Sequence, residues 1–496
     1  MLLITADQWR GDCLGLAGHP MVQTPNLDRL AAEGVLFKKH YCQAVPCGPS
    51  RASLLTGMYL MNHRCVNNGT PLDKRFTNLA LESRKRGFNP TLFGYTDTSM
   101  DPRGLHPNDP DLKTYENMLP GMTAGLKVDD QHKAWIGWLK KKGYPADLNR
   151  ETVFLPEGGE EIHTSAPSSY RREHSDSVFL TDTLLEWFST REEEDWFVHL
   201  SYLRPHPPWV APEPFNTLYD PQKVPPPVRA ISLEEEGRQH QMLSVLHEMK
   251  PKNDFFESSS DSPVAQMSDH EFLQAKATYF GLMTEIDEQL GRIFDYLKAT
   301  NQYNSTLIVF TSDHGYHLGE HGLWQKMSLF EESARVPLIM AGPGVSAQGE
   351  AVPAPVGLVD LYPTLTGLCG VQAPADLQGQ NLAPMLKNPQ AKGRGYALTQ
   401  VTRTRKGLKP NRVMGYSLRT KRWRLTLWDD QREGVELYDH SVDPTEQHNL
   451  AGEAMWKDLQ EELMQKLRTA VRQTLPASGS VPTLRQPTCP PNLTHP

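Results

Sequence analysis

The sequence predicts an α/β fold whose main sheet is covered on both faces, followed by a smaller antiparallel sheet. Three observations carry this expectation. Short β-branched apolar runs alternate with amphipathic helical stretches, the two clearest runs end in acidic residues, and after about Gly393 the pattern changes to short alternating segments. A chain of 496 residues is long enough for a large core and more than one domain. Residues 2–5 and 306–311 are continuously apolar rather than alternating, as strands buried on both faces require. Asp7 and Asp313 follow their carboxyl ends, the edge at which open α/β sheets bind ligands, so topology alone points two distant segments at one site. Helical periodicity marks 26–34, 175–189 and most clearly 271–299, where Tyr279, Leu282, Ile286, Leu290, Ile293 and Leu297 recur at three- and four-residue intervals.

Residues 205–264 turn Pro-rich, then acidic, then Ser-rich, and read as an insertion over the site, either a solvated loop or a contributor to specificity or subunit contact. The irregular stretch 101–169 carries the same two readings. Near the C-terminus 415–419, 423–428 and 436–439 read as strands of an antiparallel sheet and 454–474 as an amphipathic helix, whereas 475–496 is a Pro-rich extended tail. The expected domains are 1–392, 393–474 and this tail.

A net charge of −8 argues against general nucleic-acid binding while leaving room for a local basic pocket. Six cysteines at irregular spacing suggest neither a disulfide framework nor a C-x-x-C zinc site and fit a reducing cytosol. The sequence opens in a strand-like run without secretion features, and no apolar run approaches the roughly 20 residues of a membrane span. The expectation is a cytoplasmic protein with neither nucleic-acid nor membrane partners.

The segment Cys47-Gly48-Pro49-Ser50-Arg51, continuing to Thr56-Gly57, places a thiol at the mouth of a helix. Proline is tolerated in a first helical turn, and helix N-termini attract anions. Arg51 falls on the same helical face as Cys47 and can offer a bidentate guanidinium to a sulfate or phosphate. A lone cysteine is usually a small core hydrophobe, but these neighbours favour a nucleophile. Asp7-Gln8 and Asp313-His314 then supply mostly oxygen donors for a divalent cation, which suits Ca²⁺, Mg²⁺ or Mn²⁺ better than structural zinc.

The C-x-P-S-R run with its downstream Thr-Gly resembles the signature of the sulfatase family. That resemblance implies an alkaline phosphatase-like fold, with a large mixed sheet sandwiched by helices and a small C-terminal subdomain matched here by Glu436-Leu437-Tyr438-Asp439 and Asp443-Pro444-Thr445-Glu446. It implies that Cys47 is oxidised to formylglycine by a formylglycine-generating enzyme, and that a hydroxyl of the aldehyde hydrate attacks sulfur or phosphorus. The second hydroxyl then lets the covalent ester collapse, a release that serine lacks. It implies metal ligands Asp7, Gln8, Cys47, Asp313 and His314, with Gln8 where a second aspartate is usual; Mn²⁺ is the first expectation and Ca²⁺ the second. It further implies that Arg51 stabilises the hydrate, that His206 protonates the leaving alkoxide, that Lys326 sits on the substrate anion, and that the protein is a homo-oligomer.

One stretch departs from typical sulfatases. Where they carry Gly-Lys and then a histidine two residues later, this chain has Gly94-Tyr95-Thr96-Asp97. A pocket without those two cations suits an ester with one charge and a second substituent, and resembles the phosphonate monoester hydrolase and phosphodiesterase branch. Asp7-Gln8, Asn68 and Gly94-Tyr95-Thr96 fit that branch. Its usual threonine two residues past the tyrosine is Asp97 here, with Thr96 and Thr98 as alternatives for that contact. Asn68, Tyr95 and Asp97 are thus the substrate-binding candidates beside Lys326. The expected function is hydrolysis of phosphonate monoesters and phosphodiesters, small anionic substrates, with promiscuous action on sulfate monoesters. One alternative is a sulfatase for a small organic sulfate such as choline sulfate. Another is a non-catalytic metal-binding scaffold, which predicts a lost nucleophile or ligand, and none is lost.

Overall fold

The structure, a computed structural model, describes residues 1–155, 165–191, 195–248, 269–404 and 412–474. Ser258–Ser260 of the expected insertion, Cys489 and the 475–496 tail lie outside the described residues.

Eight strands make the main sheet: β1 (Leu2–Ala6), β2 (Val35–Phe37), β3 (Pro90–Gly94), β4 (Thr123–Lys127), β5 (Phe197–Tyr202), β6 (Ile308–Thr311), β7 (Leu338–Ala341) and β8 (Glu350–Val352). Their order is β8-β2-β7-β6-β1-β5-β3-β4. β7 runs antiparallel to both its neighbours, β6 and β2, so the sheet is mixed, while β6, β1, β5, β3 and β4 are parallel. Alternate residues of these strands enter opposite cores. Leu2, Ile4 and Ala6 of β1, with Ile308 and Phe310 of β6, pack on one face, and Leu3 and Val309 pack on the other. That double burial is why the runs read as continuously apolar. The first face is covered by the helix Asp269–Ala299, whose six periodic residues are all fully buried, and by the helix Asp176–Ser189, capped by the Ser175 side chain. The second face is covered by the helices Cys47–Thr56 and Leu361–Leu368.

Two irregular stretches of sequence prove more ordered than loops. Within 101–169 lie the edge strand β4, the helix Lys133–Lys141 and a small core of Trp135, Ile136, Leu139 and Phe154, which Tyr170 completes from just beyond the stretch. The insertion begins inside the protein, with Trp209, Val210 and Ala211 fully buried, and its helix Gln241–Glu248 packs Leu243 and Leu246 against Leu323, Phe330 and Tyr438. The few apolar positions of each stretch cluster in space without a strong period along the chain.

The small sheet comprises β9 (Ala397–Thr404), β10 (Arg412–Arg419), β11 (Trp423–Trp428) and β12 (Val435–Asp439), antiparallel in sequence order. The helix Lys457–Thr474 buries Leu463, Met464 and Leu467 against it. Its fifth strand is Ala44–Val45, paired in parallel with β9, so this sheet ends two residues before Cys47. An ion-pair knot fastens it to the main body: Arg419 and Arg424 both bind Glu331, and Arg424 and His440 bind Glu446. Glu331, His440 and Glu446 are close enough to share a metal, but the two guanidiniums already neutralise these carboxylates. Burial alone would raise the Glu446 carboxyl; Arg424 and His440 outweigh it and hold it below the ordinary carboxylate range. A pKa depressed in the folded state stabilises the fold above the unfolded value and loses that contribution as pH falls through the folded one. The stability advantage of the native protein over Glu446→Gln is therefore expected to shrink as pH falls below about 4.5 in an acid-denaturation series. An advantage independent of pH across that range would overturn this assignment.

Among the described residues no helix is long and apolar enough to cross a membrane, and Cys13, Cys42, Cys47, Cys65 and Cys369 are all unpaired.

Candidate active site

The neighbouring parallel strands β6, β1, β5 and β3 end on one side of the sheet, and each delivers a segment to the same place. Asp313-His314 follow β6, Asp7-Gln8 follow β1, the turn bearing His206 follows β5, and Tyr95 to Asp97 follow β3. Gly94 makes the last exit possible: its φ is +116°, and a Cβ there would lie 2.1 Å from the carbonyl oxygen of Ser201 on β5. The helix Cys47–Thr56 supplies Cys47 in its first turn and Arg51 one turn further on.

Ligand atoms of Asp7, Cys47, Asp313 and His314, all buried, lie within 4.8 Å of one another. Gln8, in the left-handed region at φ +65°, donates its backbone N–H to Asp313 Oδ1 (3.2 Å), and its own Oε1 is buried without a hydrogen-bond partner. A buried amide oxygen without a donor is costly in a protein interior but suits a cation ligand. The donor set of carboxylate and amide oxygens with one imidazole therefore fits a hard divalent cation.

Around the sulfur, His314 Nε2 and Lys326 Nζ each stand 3.2 Å from Cys47 Sγ. Burial and the Asp7 carboxylate push the thiol well above its ordinary pKa despite Lys326. The unmodified cysteine is thus a protonated thiol, a poor nucleophile as it stands. Burial alone would lower Lys326, but the negative groups around it, Asp7 and Asp313 among them, hold the ammonium firmly protonated.

Arg51 differs from expectation. Its guanidinium, 1% exposed, donates to Asp313 (2.9 Å), Asp7 (3.1 Å), the Tyr95 carbonyl oxygen (3.1 Å) and Ser201 Oγ (2.8 Å). It holds two ligand carboxylates in place instead of opening toward an anion, because the surrounding strand ends supply enough acceptors to engage all of its nitrogens. Tyr95 likewise turns inward: its hydroxyl donates to Asp7 Oδ2, and its ring lies 4.3 Å from the Arg51 guanidinium carbon. Burial, with Asp7 adding, keeps that phenol protonated. Asp97, at φ +48°, stands 3.6 Å from Arg51 Nε. Burial raises its carboxyl, Arg51 opposes the rise and Asp7 adds to it, leaving the group at about 7. Thr96 and Thr98 bond to each other (3.0 Å), and Thr96 also donates to the Asn117 carbonyl oxygen.

Asn68 accepts the Gly48 N–H at the helix start through Oδ1 (2.9 Å), and its Nδ2 has no partner among the described residues. His206 Nδ1 lies 2.6 Å from the Pro207 carbonyl oxygen, which requires the proton on Nδ1 and leaves Nε2 an acceptor. Burial and Lys326 hold the imidazole down to about 4. In the free protein His206 is therefore neutral, and the proton it is expected to give the leaving alkoxide is one it first takes up at Nε2.

Two contributors escape sequence reasoning. Ser201 on β5 receives Arg51, and Tyr279 of the long helix donates its hydroxyl to the Gln8 carbonyl oxygen (2.6 Å). Position near the carboxyl end of a central strand signals Ser201; the periodicity that marks Tyr279 as core hides its hydroxyl.

A family model described as Sulfatase matches residues 1–371, and one described as N-sulphoglucosamine sulphohydrolase, C-terminal, matches 319–473. The multifunctional alkaline phosphatase superfamily protein PehA of Trinickia caryophylli is 39% identical over 394 residues, covering 78% of this chain and 76% of that one. The phosphonate monoester hydrolase of Agrobacterium radiobacter superposes with a TM-score of 0.90 at 36% identity, covering 96% of this chain and 95% of its own. That of Silicibacter pomeroyi superposes at 0.89 and 35%, covering 96% of each.

Proposed function

The chain belongs to the sulfatase family of the alkaline phosphatase superfamily, and from that membership we infer that it is a metal-dependent hydrolase of phosphonate monoesters and phosphodiesters, with sulfate monoesters as secondary substrates. The observation that carries the choice of ester is the charge around Cys47. Arg51 is engaged by protein acceptors and Tyr95 stands where typical sulfatases carry a lysine, which among the described residues leaves Lys326 as the cation that reaches the sulfur. A pocket so constituted matches a singly charged ester better than one gripped by cations from every side. The activity named for the two structural relatives, phosphonate monoester hydrolysis, supports this reading over a choline sulfate hydrolase.

Sulfatases generally use a divalent metal and a formylglycine. Asp7, Gln8, Asp313, His314 and residue 47 would hold the cation, Mn²⁺ first and Ca²⁺ second, which when bound neutralises charge on an oxyanion. Formylglycine at residue 47, made by a formylglycine-generating enzyme, supplies an aldehyde whose hydrate has one hydroxyl for attack and another for release. The remaining work falls to the chain's own residues. Arg51 keeps Asp7 and Asp313 fixed, and Lys326 and the Nδ2 of Asn68 face the non-bridging oxygens. His206, its Nδ1 proton held on the Pro207 carbonyl oxygen, takes up at Nε2 the proton given up by the attacking hydroxyl and passes it to the leaving alkoxide, which departs as the alcohol. The five cysteines among the described residues are unpaired, which supports a reducing compartment such as the cytoplasm.

Catalytic efficiency toward an aryl phosphonate monoester, a bis-aryl phosphate and an aryl sulfate tests the reading. The first two are expected to lead; a large preference for the sulfate would reject it. Elemental analysis of the purified enzyme is expected to find a hard dication, and a stoichiometric zinc-only result would reject the donor-set argument.

A further inference from the structure

His206 sits on a turn held from beneath by one side chain. Arg204, 1% exposed, folds back under the turn and donates from Nη1 to the carbonyl oxygens of His206 (3.1 Å) and Pro208 (2.5 Å). Trp209 closes the same turn by donating its indole N–H to the Pro205 carbonyl oxygen (2.9 Å). On its other edge the guanidinium meets Asp176, Nε to Oδ2 at 3.2 Å, and its carbon lies 4.8 Å from the centre of the Phe154 ring. Asp176 is the first residue of a fourteen-residue helix whose start is fixed by Ser175, and Phe154 packs on Trp135, itself packed on Tyr170. The guanidinium therefore ties a rigid helix start and an aromatic cluster to two carbonyls of the turn. Glu285 faces the same interior; burial, with Asp176 adding, pushes its carboxyl up to about 8, so at neutral pH it does not displace Asp176 as the carboxylate partner of Arg204.

We propose that the Asp176–Arg204 pair is a positioning device for His206, setting the direction from which Nε2 addresses the leaving oxygen. The inference rests on the reading of His206 as the group that carries a proton to that oxygen. Proton transfer needs heavy atoms within about 2.6–3.2 Å, and a displacement of about 1 Å at a reacting group costs roughly 100-fold. Without Asp176 the guanidinium loses its counter-charge and its fixed edge, and the two carbonyls lose a rigid donor. Arg204 and Asp176 are positioning residues, since neither reaches the substrate.

The test uses the mature enzyme and two phosphodiesters that differ only in the leaving group, p-nitrophenoxide, which departs with little proton assistance, and a simple alkoxide, which needs it. Asp176→Asn, nearly isosteric and one residue past the Ser175 cap that it leaves in place, is expected to lower kcat/KM for the alkyl ester about 30-fold and for the aryl ester less than about threefold. Arg204→Lys, which retains a charge but cannot span both carbonyls and Asp176, is expected to show the same asymmetry. In a His206→Ala background the Asp176→Asn change is expected to have no further effect. Equal losses on both esters, no loss, or a loss that persists without His206 would overturn the proposal. His206→Ala alone separates the two layers of argument. If it spares the alkyl ester, the reading of His206 fails; if it impairs that ester while Asp176→Asn does not, only the positioning device fails.

Discussion

Cys47→Ala is expected to reduce hydrolysis of every ester substrate by at least about 10⁴-fold in kcat, with the fold intact by thermal melting. The loss follows from the environment of the sulfur. The side chain lies 3.2 Å from both Lys326 and His314, within the cluster of Asp7, Asp313 and His314. No other thiol or hydroxyl is expected to replace it there, and burial with Asp7 keeps the unmodified thiol protonated. Cys47→Ser sharpens the test, because a single hydroxyl can attack but cannot expel the bound acid, so at most one turnover is expected. Mass spectrometry of the Cys47 peptide should find aldehyde in active wild-type enzyme. Retention of more than a hundredth of the activity by Cys47→Ala would end the covalent mechanism, whichever ester is the substrate.

The second large effect concerns Arg51. Arg51→Leu removes from among Asp7, Asp313 and Asp97 the guanidinium that contacts all three, leaving the Lys326 ammonium to face them in the metal-free protein. Removing one partner of a buried ion pair typically costs about 3–5 kcal/mol. Thermal melting of the metal-free variant is therefore expected to fall steeply, and metal content after dialysis should fall with it, since both carboxylates lose the side chain that aims them. Arg51→Lys restores a charge without the four-way geometry and is expected to recover stability more than activity. An unchanged melting temperature together with unchanged metal content would show that the carboxylates are held by other means.

Much of this could be read along the chain. The central strands are legible because burial on both faces imposes continuous apolar runs, and the helices over 175–189 and 271–299 because their buried positions recur with the helical period. Asp7 and Asp313 are legible because the ends of parallel strands are where such sheets place ligands. The strand β4 and the helix Lys133–Lys141 were opaque, since an edge strand with an exposed side carries too weak a pattern to stand out among prolines and charges. The structured start of the insertion was opaque for a related reason: Trp209 and the residues after it are buried by distant elements rather than by a local period.

The sequence by itself determined the candidate nucleophile, the donor types of the candidate metal site and the α/β framework, because each depends on residues adjacent along the chain or on a repeat that the chain displays directly. Only the tertiary structure decided what the polar groups do. Arg51 turned from an anion clamp into the holder of two carboxylates, Tyr95 from a substrate contact into a donor to Asp7, and His206, the expected proton donor, is neutral in the free protein. Those roles depend on which strand ends meet and on how far each group is withdrawn from water. Hydrogen-bond partnership and desolvation arise between segments far apart along the chain, 44 residues from Arg51 to Asp7 and 262 from Arg51 to Asp313, and no local pattern encodes them.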